Sequence, residues 1–114
     1  MSSCLFCKIV NREIPATIVY EDDRVLAFND INPQAPSHVL VIPKRHVTSL
    51  NDLGPDDDAV IGEVVRRAAA IASDRGVATG GFRTVFNTGR DAGQTVFHIH
   101  LHLLGGRAMV WPPG

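Results

Sequence analysis

His98, His100 and His102 alternate with apolar residues in Phe97-His98-Ile99-His100-Leu101-His102-Leu103-Leu104-Gly105-Gly106, a run that holds three of the chain's five histidines. Imidazole is the side chain whose ordinary pKa lets it act as base, acid or nucleophile near neutral pH. Alternation is the period of a β-strand, so the spacing predicts a strand here, with the three rings on one face and Ile99, Leu101 and Leu103 on the other. The apolar face suits a core and the row of rings suits an active site. Solvated or hydrogen-bonded structural histidines are the bland alternative, but three in strict alternation within an apolar run are hard to place on a surface. A metal gathered by all three is disfavoured by reach. At about 3.3 Å per residue, His98 and His102 stand ~13 Å apart along a strand, whereas zinc–nitrogen bonds span about 2.0–2.1 Å.

The two cysteines, Cys4 and Cys7, have the C-x2-C spacing. Without an export signal, that spacing reads as a metal half-site or a redox pair rather than a structural disulfide. A redox pair of the thioredoxin kind wants a preceding strand in a βαβ unit, and this pair lies too early in the chain for one. A zinc site needs two more ligands, which His46 and His98 could supply. Two buried structural cysteines are the plainer alternative. A third feature is the glycine-bearing stretch Thr88-Gly89-Arg90-Asp91-Ala92-Gly93-Gln94-Thr95, which enters the histidine run and could turn successive N–H groups toward an anion.

The elements that must position these residues are legible from pattern. Phe6, Ile9, Val10 and Ile14 fall at helical intervals, which predicts a short helix stopped by Pro15. Ile18 to Tyr20 and Val25 to Phe28 flank a polar turn and predict a hairpin. His38 to Pro43 is so continuously apolar that it should be a central, buried strand. Gly54-Pro55-Asp56-Asp57-Asp58 is a helix start, with proline and acids suited to the first turn. Val60, Ile61, Val64, Val65, Ala68, Ala69, Ile71 and Ala72 give that helix an apolar stripe, and Gly76 ends it. Phe82 to Asn87 is another strand. The prolines of Met109-Val110-Trp111-Pro112-Pro113-Gly114 bar helix and sheet interior, so this tail should run extended over a surface, and a tryptophan there calls for a partner.

With 114 residues, 45% apolar and 20% charged, the chain is expected to be one soluble domain with an extended tail from about residue 107. A formal net charge of -1 gives no footprint for nucleic acid or an acidic membrane. The apolar run at Cys4 to Cys7 is too short for a signal peptide or membrane span, so a cytoplasmic location is expected.

His98-Ile99-His100-Leu101-His102-Leu103-Leu104 resembles the histidine-triad signature. The similarity extends through Phe6-Cys7-Lys8-Ile9-Val10, Ile14-Pro15-Ala16, Tyr20-Glu21-Asp22, Ala27-Phe28-Asn29-Asp30-Ile31, Pro36-Ser37-His38, Val41-Ile42-Pro43-Lys44 and Gly93-Gln94-Thr95-Val96-Phe97. The ending Gly105-Gly106-Arg107 with Trp111-Pro112-Pro113-Gly114 is similar to that of the Hint branch, the histidine-triad nucleotide-binding proteins.

The resemblance implies an α+β fold, a single domain over residues 1–114 with a five-stranded, mainly antiparallel sheet, one long and one short helix, and a two-fold homodimer in which the tail reaches the partner's active site. It implies hydrolysis of purine nucleoside 5′-phosphoramidates with no catalytic cofactor. His100 would be the nucleophile, with His38, His98, His102 and Thr95 around it. Asn87, Gly93, Gln94 and Thr95 would lie near the phosphate, Asp30 at the ribose hydroxyls, and Leu5, Phe6, Ile9, Phe28, Ile31 and Leu40 around the base. Cys4, Cys7, His46 and His98 match a structural zinc site of many bacterial relatives. The alternatives are a dinucleoside polyphosphate hydrolase or nucleotidyl transferase of the same superfamily, or a nucleotide-binding interaction module.

Overall fold

The computed structural model describes residues 3–114. Its elements are α1 (Leu5–Val10), β1 (Ile18–Glu21), β2 (Val25–Asn29), β3 (Ser37–Pro43), α2 (Asp58–Asp74), β4 (Phe82–Phe86) and β5 (Leu101–Gly105), with short 3-10 turns at Leu50–Asp52 and Pro55–Asp57. The strands form one sheet in the order β1-β2-β3-β5-β4. Every neighbouring pair is antiparallel. β3, buried at every residue, is central as its composition requires.

The sheet divides two apolar clusters. On one face Val25, Ala27, Val39, Val41, Leu101 and Leu103 meet Val60, Val64, Ala68, Ile71 and Ala72 of α2. On the other, Leu26, Phe28, Leu40 and Ile42 meet Phe6 and Ile9 of α1. Consecutive residues of β2 and β3 thus serve opposite cores, as the two-residue period dictates.

Both helices end in the same device. Asn11 caps α1, Arg12 turns to φ +62°, and Glu13 N–H bonds Lys8 O at 2.8 Å while Arg12 N–H bonds Ile9 O at 3.1 Å. This left-handed closure stops the helix at Val10, before the expected stop at Pro15, and puts Ile14 outside it. Gly76 does the same for α2 at φ +76°, with Val77 N–H on Ala72 O at 3.0 Å. The buried stripe of α2 is narrower than its apolar sequence: Val65 and Ala69 face out. Asp57, expected within the helix's first turn, instead closes the 3-10 turn before it by accepting from Gly54 N–H at 2.9 Å and from Arg45 at 2.5 Å.

The histidine strand is shorter than its alternation predicts. Ordered pairing begins at Leu101, opposite Val41 and Phe86. Continued to Ile99, the register would need a partner at Pro43, which has no N–H to give, and Ile99 N–H bonds Val47 O at 2.7 Å instead. His98 and His100 therefore sit on irregular chain leading into β5, while His102 sits within it.

Candidate active site

The hydrogen bonds around the four inner histidines fix where their protons are. His100 Nδ1 lies 2.8 Å from His98 O, and a carbonyl only accepts, so the proton is on Nδ1 and Nε2 presents a lone pair. His98 Nε2 lies 2.8 Å from Pro43 O, so that ring carries its proton on Nε2 and leaves Nδ1 bare. Gln34 N–H donates to His38 Nδ1 at 3.0 Å, which puts the His38 proton on Nε2. That proton faces His102 Nδ1 at 2.9 Å, ahead of Asp30 Oδ2 at 3.4 Å, so His102 is protonated on Nε2.

These assignments require neutral rings, and the surroundings supply that condition. Burial holds His38, His98 and His100 below the usual imidazole range. His102 is pushed down to about 4, by burial first and then by the His100 and His38 rings beside it. At neutral pH the row is therefore an uncharged set with alternating donors and lone pairs.

His100 and His102 open into a cavity of about 290 Å³ with Leu5, Phe6, Ile9, Phe28, Asp30, Ile31, Leu40 and Thr95 in its wall. Phe6 stands edge-on to His100 with ring centres 5.0 Å apart. Apolar walls with few polar groups at one end are the usual make-up of a small-molecule site. Ile31 stands at the rim, 99% exposed. Asp30 Oδ1 accepts from Asn32 N–H at 2.8 Å, which fixes the carboxylate at the cavity's polar edge. Asn87 directly follows β4, whose last pair is Phe86–Leu101, and is not among the residues lining the cavity. The wall also contains Ile14, Pro15, Ala16, Asn29 and Val96, none of which the sequence assigned to a site. Three of them form the Ile14-Pro15-Ala16 segment; apolar residues there, beyond the helix, were the available signal.

The glycine loop differs from expectation. Gly93 N–H is taken by Arg90 O at 3.0 Å and Gln94 N–H by Gly89 O at 3.1 Å. The Gln94 side chain is buried, accepting from Gly89 N–H at 2.9 Å and donating to Thr48 O at 2.8 Å and Val96 O at 3.1 Å. Gly93 and Gln94 thus shape the loop from within, and Thr95 is the residue it delivers to the cavity wall.

His98 is fully buried and outside that wall. Its bare Nδ1 faces Cys4 Sγ and Cys7 Sγ, each at 3.5 Å, and His46 Nδ1 lies 3.3 Å from Cys7 Sγ. A tetrahedral zinc with bonds near 2.3 Å to sulfur and 2.0–2.1 Å to nitrogen has S···N edges of roughly 3.6 Å, so the four donors fit the metal. The His98 Nε2–H bond to a backbone carbonyl is the outer support that metal-bound histidines normally have. Asp30, His38 and His102 also bring donor atoms within 4.8 Å of one another. There the only His38 nitrogen facing the cluster carries the proton, which suits a hydrogen-bond relay and not a cation. No cluster among the described residues gathers all three rings of the row, in line with their reach along the chain.

Among the described residues no helix is long and apolar enough to cross a membrane. Residues 3–110 match the family model described as scavenger mRNA decapping enzyme C-term binding. The chain is 49% identical over 105 residues, 92% of its length and 88% of the relative's, to the purine nucleoside phosphoramidase of Escherichia coli. The HIT family hydrolase of Legionella pneumophila superposes with a TM-score of 0.97 at 54% identity, over 98% of this chain and 100% of that one. A zinc-bound histidine triad family protein from Mycobacterium smegmatis superposes with a TM-score of 0.78 at 42% identity, over 92% of this chain and 76% of that one.

Proposed function

The chain belongs to the histidine-triad (HIT) superfamily, and on that premise we propose that it hydrolyses purine nucleoside 5′-phosphoramidates through a covalent nucleotidyl-histidine intermediate. The observation that carries the reading is the His100 ring: neutral, with its Nδ1–H on His98 O and its lone pair on Nε2 beside an apolar cavity. In line with that lone pair, Nε2 attacks phosphorus and the phosphorus–nitrogen bond to the amine breaks. The amine leaves with the electron pair and takes up a proton from water. The hydroxide so formed then attacks phosphorus and breaks its bond to Nε2, giving the nucleoside monophosphate and neutral His100. Negative charge on the phosphoryl oxygens meets the His102 Nε2–H, with Asn87 and the Thr95 hydroxyl as further donors. Leu5, Phe6, Ile9, Phe28, Ile31 and Leu40 enclose the base. His98 serves the zinc and the His100 tautomer; it is a support for the nucleophile and not a reacting group. Cys4, Cys7, His46 and His98 would hold a zinc with all four of its positions filled by protein, so it would supply folding energy and no chemistry.

A second groove, about 490 Å³, shares Leu5, Thr95 and Val96 with the first and has Phe97 in its wall. Its size leaves room for a bulky leaving group, so a dinucleoside polyphosphate is the competing substrate. Steady-state turnover of adenosine 5′-phosphoramidate and diadenosine polyphosphate, compared as kcat/KM, tests the reading. Preference for the polyphosphate overturns it.

Asp30 is proposed to accept both ribose hydroxyls. Asp30→Ala should weaken adenosine monophosphate binding roughly ten- to hundredfold, since bonds to a charged acceptor contribute about 1.5–3 kcal/mol. Calorimetric titration reads this directly, and unchanged affinity removes the role.

The same reading includes a two-fold homodimer. It is supported by β4 as an edge strand with Phe82 partly exposed, and by Val110 and Trp111 at 79% and 82% exposure although Arg83 fixes the tail through Val110 O at 3.0 Å. Sedimentation at micromolar concentration should give twice the chain mass; a monomer refutes it.

A further inference from the structure

We propose that Arg107 is a positioning residue for the histidine row: by holding the Gln34 carbonyl it aims the Gln34 N–H at His38, and so sets which nitrogens of His38 and His102 carry protons. The inference rests on the reading of the site given above.

Three hydrogen bonds run in series. Arg107 Nε–H donates to Gln34 O at 3.0 Å, Gln34 N–H to His38 Nδ1 at 3.0 Å, and His38 Nε2–H to His102 Nδ1 at 2.9 Å. The carbonyl and the N–H of Gln34 belong to the two peptide planes that flank its Cα, so pinning one and spending the other fixes the orientation of the residue. The Gln34 side chain adds a bond from Nε2 to Asn32 O at 2.9 Å. Packing holds the same loop from the other side. Gly106 has φ +91° and its backbone lies so near Pro36 that a Cβ there would stand 3.0 Å from the proline ring. The start of the tail and the Asn32–Pro36 loop are therefore a single packed unit, with Arg107 as its polar clasp.

The protonation pattern depends on that clasp. With Gln34 N–H in place, a proton on His38 Nδ1 would collide with it, so His38 must donate from Nε2 and His102 must present Nε2–H to the cavity. If the loop shifts and that N–H leaves, His38 is able to hold its proton on Nδ1 and turn a lone pair toward His102, with only the Asp30 carboxylate, 3.4 Å from His38 Nε2, still favouring the original form. His102 then donates from Nδ1, and its Nε2 becomes a lone pair facing the phosphoryl oxygens. The donor is replaced by repulsion without any change in net charge or in the base pocket.

The test uses the intact protein with its metal, labelled with nitrogen-15 at histidine, together with Arg107→Met and Arg107→Lys. Ring-nitrogen shifts and couplings distinguish the two neutral tautomers directly and need no substrate. The unsubstituted protein should show His38 and His102 protonated on Nε2. Arg107→Met should populate the Nδ1–H form of His102 and lower kcat on adenosine 5′-phosphoramidate by roughly ten- to hundredfold, the usual range for losing an outer support, with KM and zinc content nearly unchanged. Arg107→Lys, which keeps a donor, should recover part of both signals. An Arg107→Met protein with unshifted tautomers overturns the proposal, as does unsubstituted protein with His102 protonated on Nδ1. The phosphoramidase reading fails separately, through absence of turnover in the unsubstituted enzyme, while the tautomer measurement still decides the relay.

Discussion

Replacing His100 with alanine should lower turnover of adenosine 5′-phosphoramidate by on the order of 10⁴-fold or more, with adenosine monophosphate affinity changed only a few-fold. The asymmetry follows from where the ring sits. Its Nδ1 is committed to His98 O, so its one reactive atom is Nε2, and no other described ring has a lone pair that opens into the same cavity. His98 turns its bare nitrogen to the cysteines, and His102 turns its own to His38. Loss of His100 therefore leaves no substitute nucleophile. The proposed base and ribose walls, Phe6, Ile9, Phe28, Leu40 and Asp30, remain in place. Rapid-mixing kinetics and calorimetry on the variant separate the two effects. More than a tenth of the original rate in the His100→Ala protein would mean that the nucleophile is a different group.

The proposed zinc centre carries the second large effect. Protein purified without chelator should contain about one zinc per chain, and Cys7→Ser should abolish it. Cys7 Sγ faces both ring ligands, His46 at 3.3 Å and His98 at 3.5 Å, so its loss removes the donor that joins α1 to the chain before β5. Loss of a bound metal belongs to the few mechanisms with large stability effects. About 3 kcal/mol, or roughly 10 °C in melting temperature for a domain of this size, is expected. Elemental analysis and thermal unfolding check both statements. A wild-type ratio well below one zinc per chain, or an unshifted Cys7→Ser melting curve, would reduce Cys4 and Cys7 to ordinary core residues.

Most of the scaffold was legible because it rests on local pattern. The continuous apolar run of β3, the stripe of α2 and the hairpin of β1 and β2 all appear where periodicity places them. His100, His102, Asp30 and Thr95, far apart in sequence, come together around one apolar cavity. The differences arise where distant groups decide. The histidine strand loses its first residues because Pro43, far away in sequence, has no N–H to offer Ile99. The amides of Gly93 and Gln94 are spent inside their own loop, which glycine content alone does not reveal. The end of α1 turned on Arg12 adopting φ +62°, a conformation that a charged residue seldom takes and that no spacing rule marks. Nor does sequence show that Arg107 and His38 communicate, since the link between them is a backbone N–H.

The separation of the two cores by β2 and β3 bears on how such a domain diversifies. Val39 and Val41 answer to the long helix, whereas Leu40 lies in the cavity wall and Ile42 behind it, so neighbouring codons are under different selective demands. Substitutions at Leu40, Phe6 or Ile9 reshape the cavity while the α2 packing stays as it was, and effects at sites that share no partners add almost independently. A lineage is thus free to reshape this cavity through Phe28 and Leu40 of two strands and Phe6 and Ile9 of one short helix. The other half of the same strands holds the inherited architecture constant.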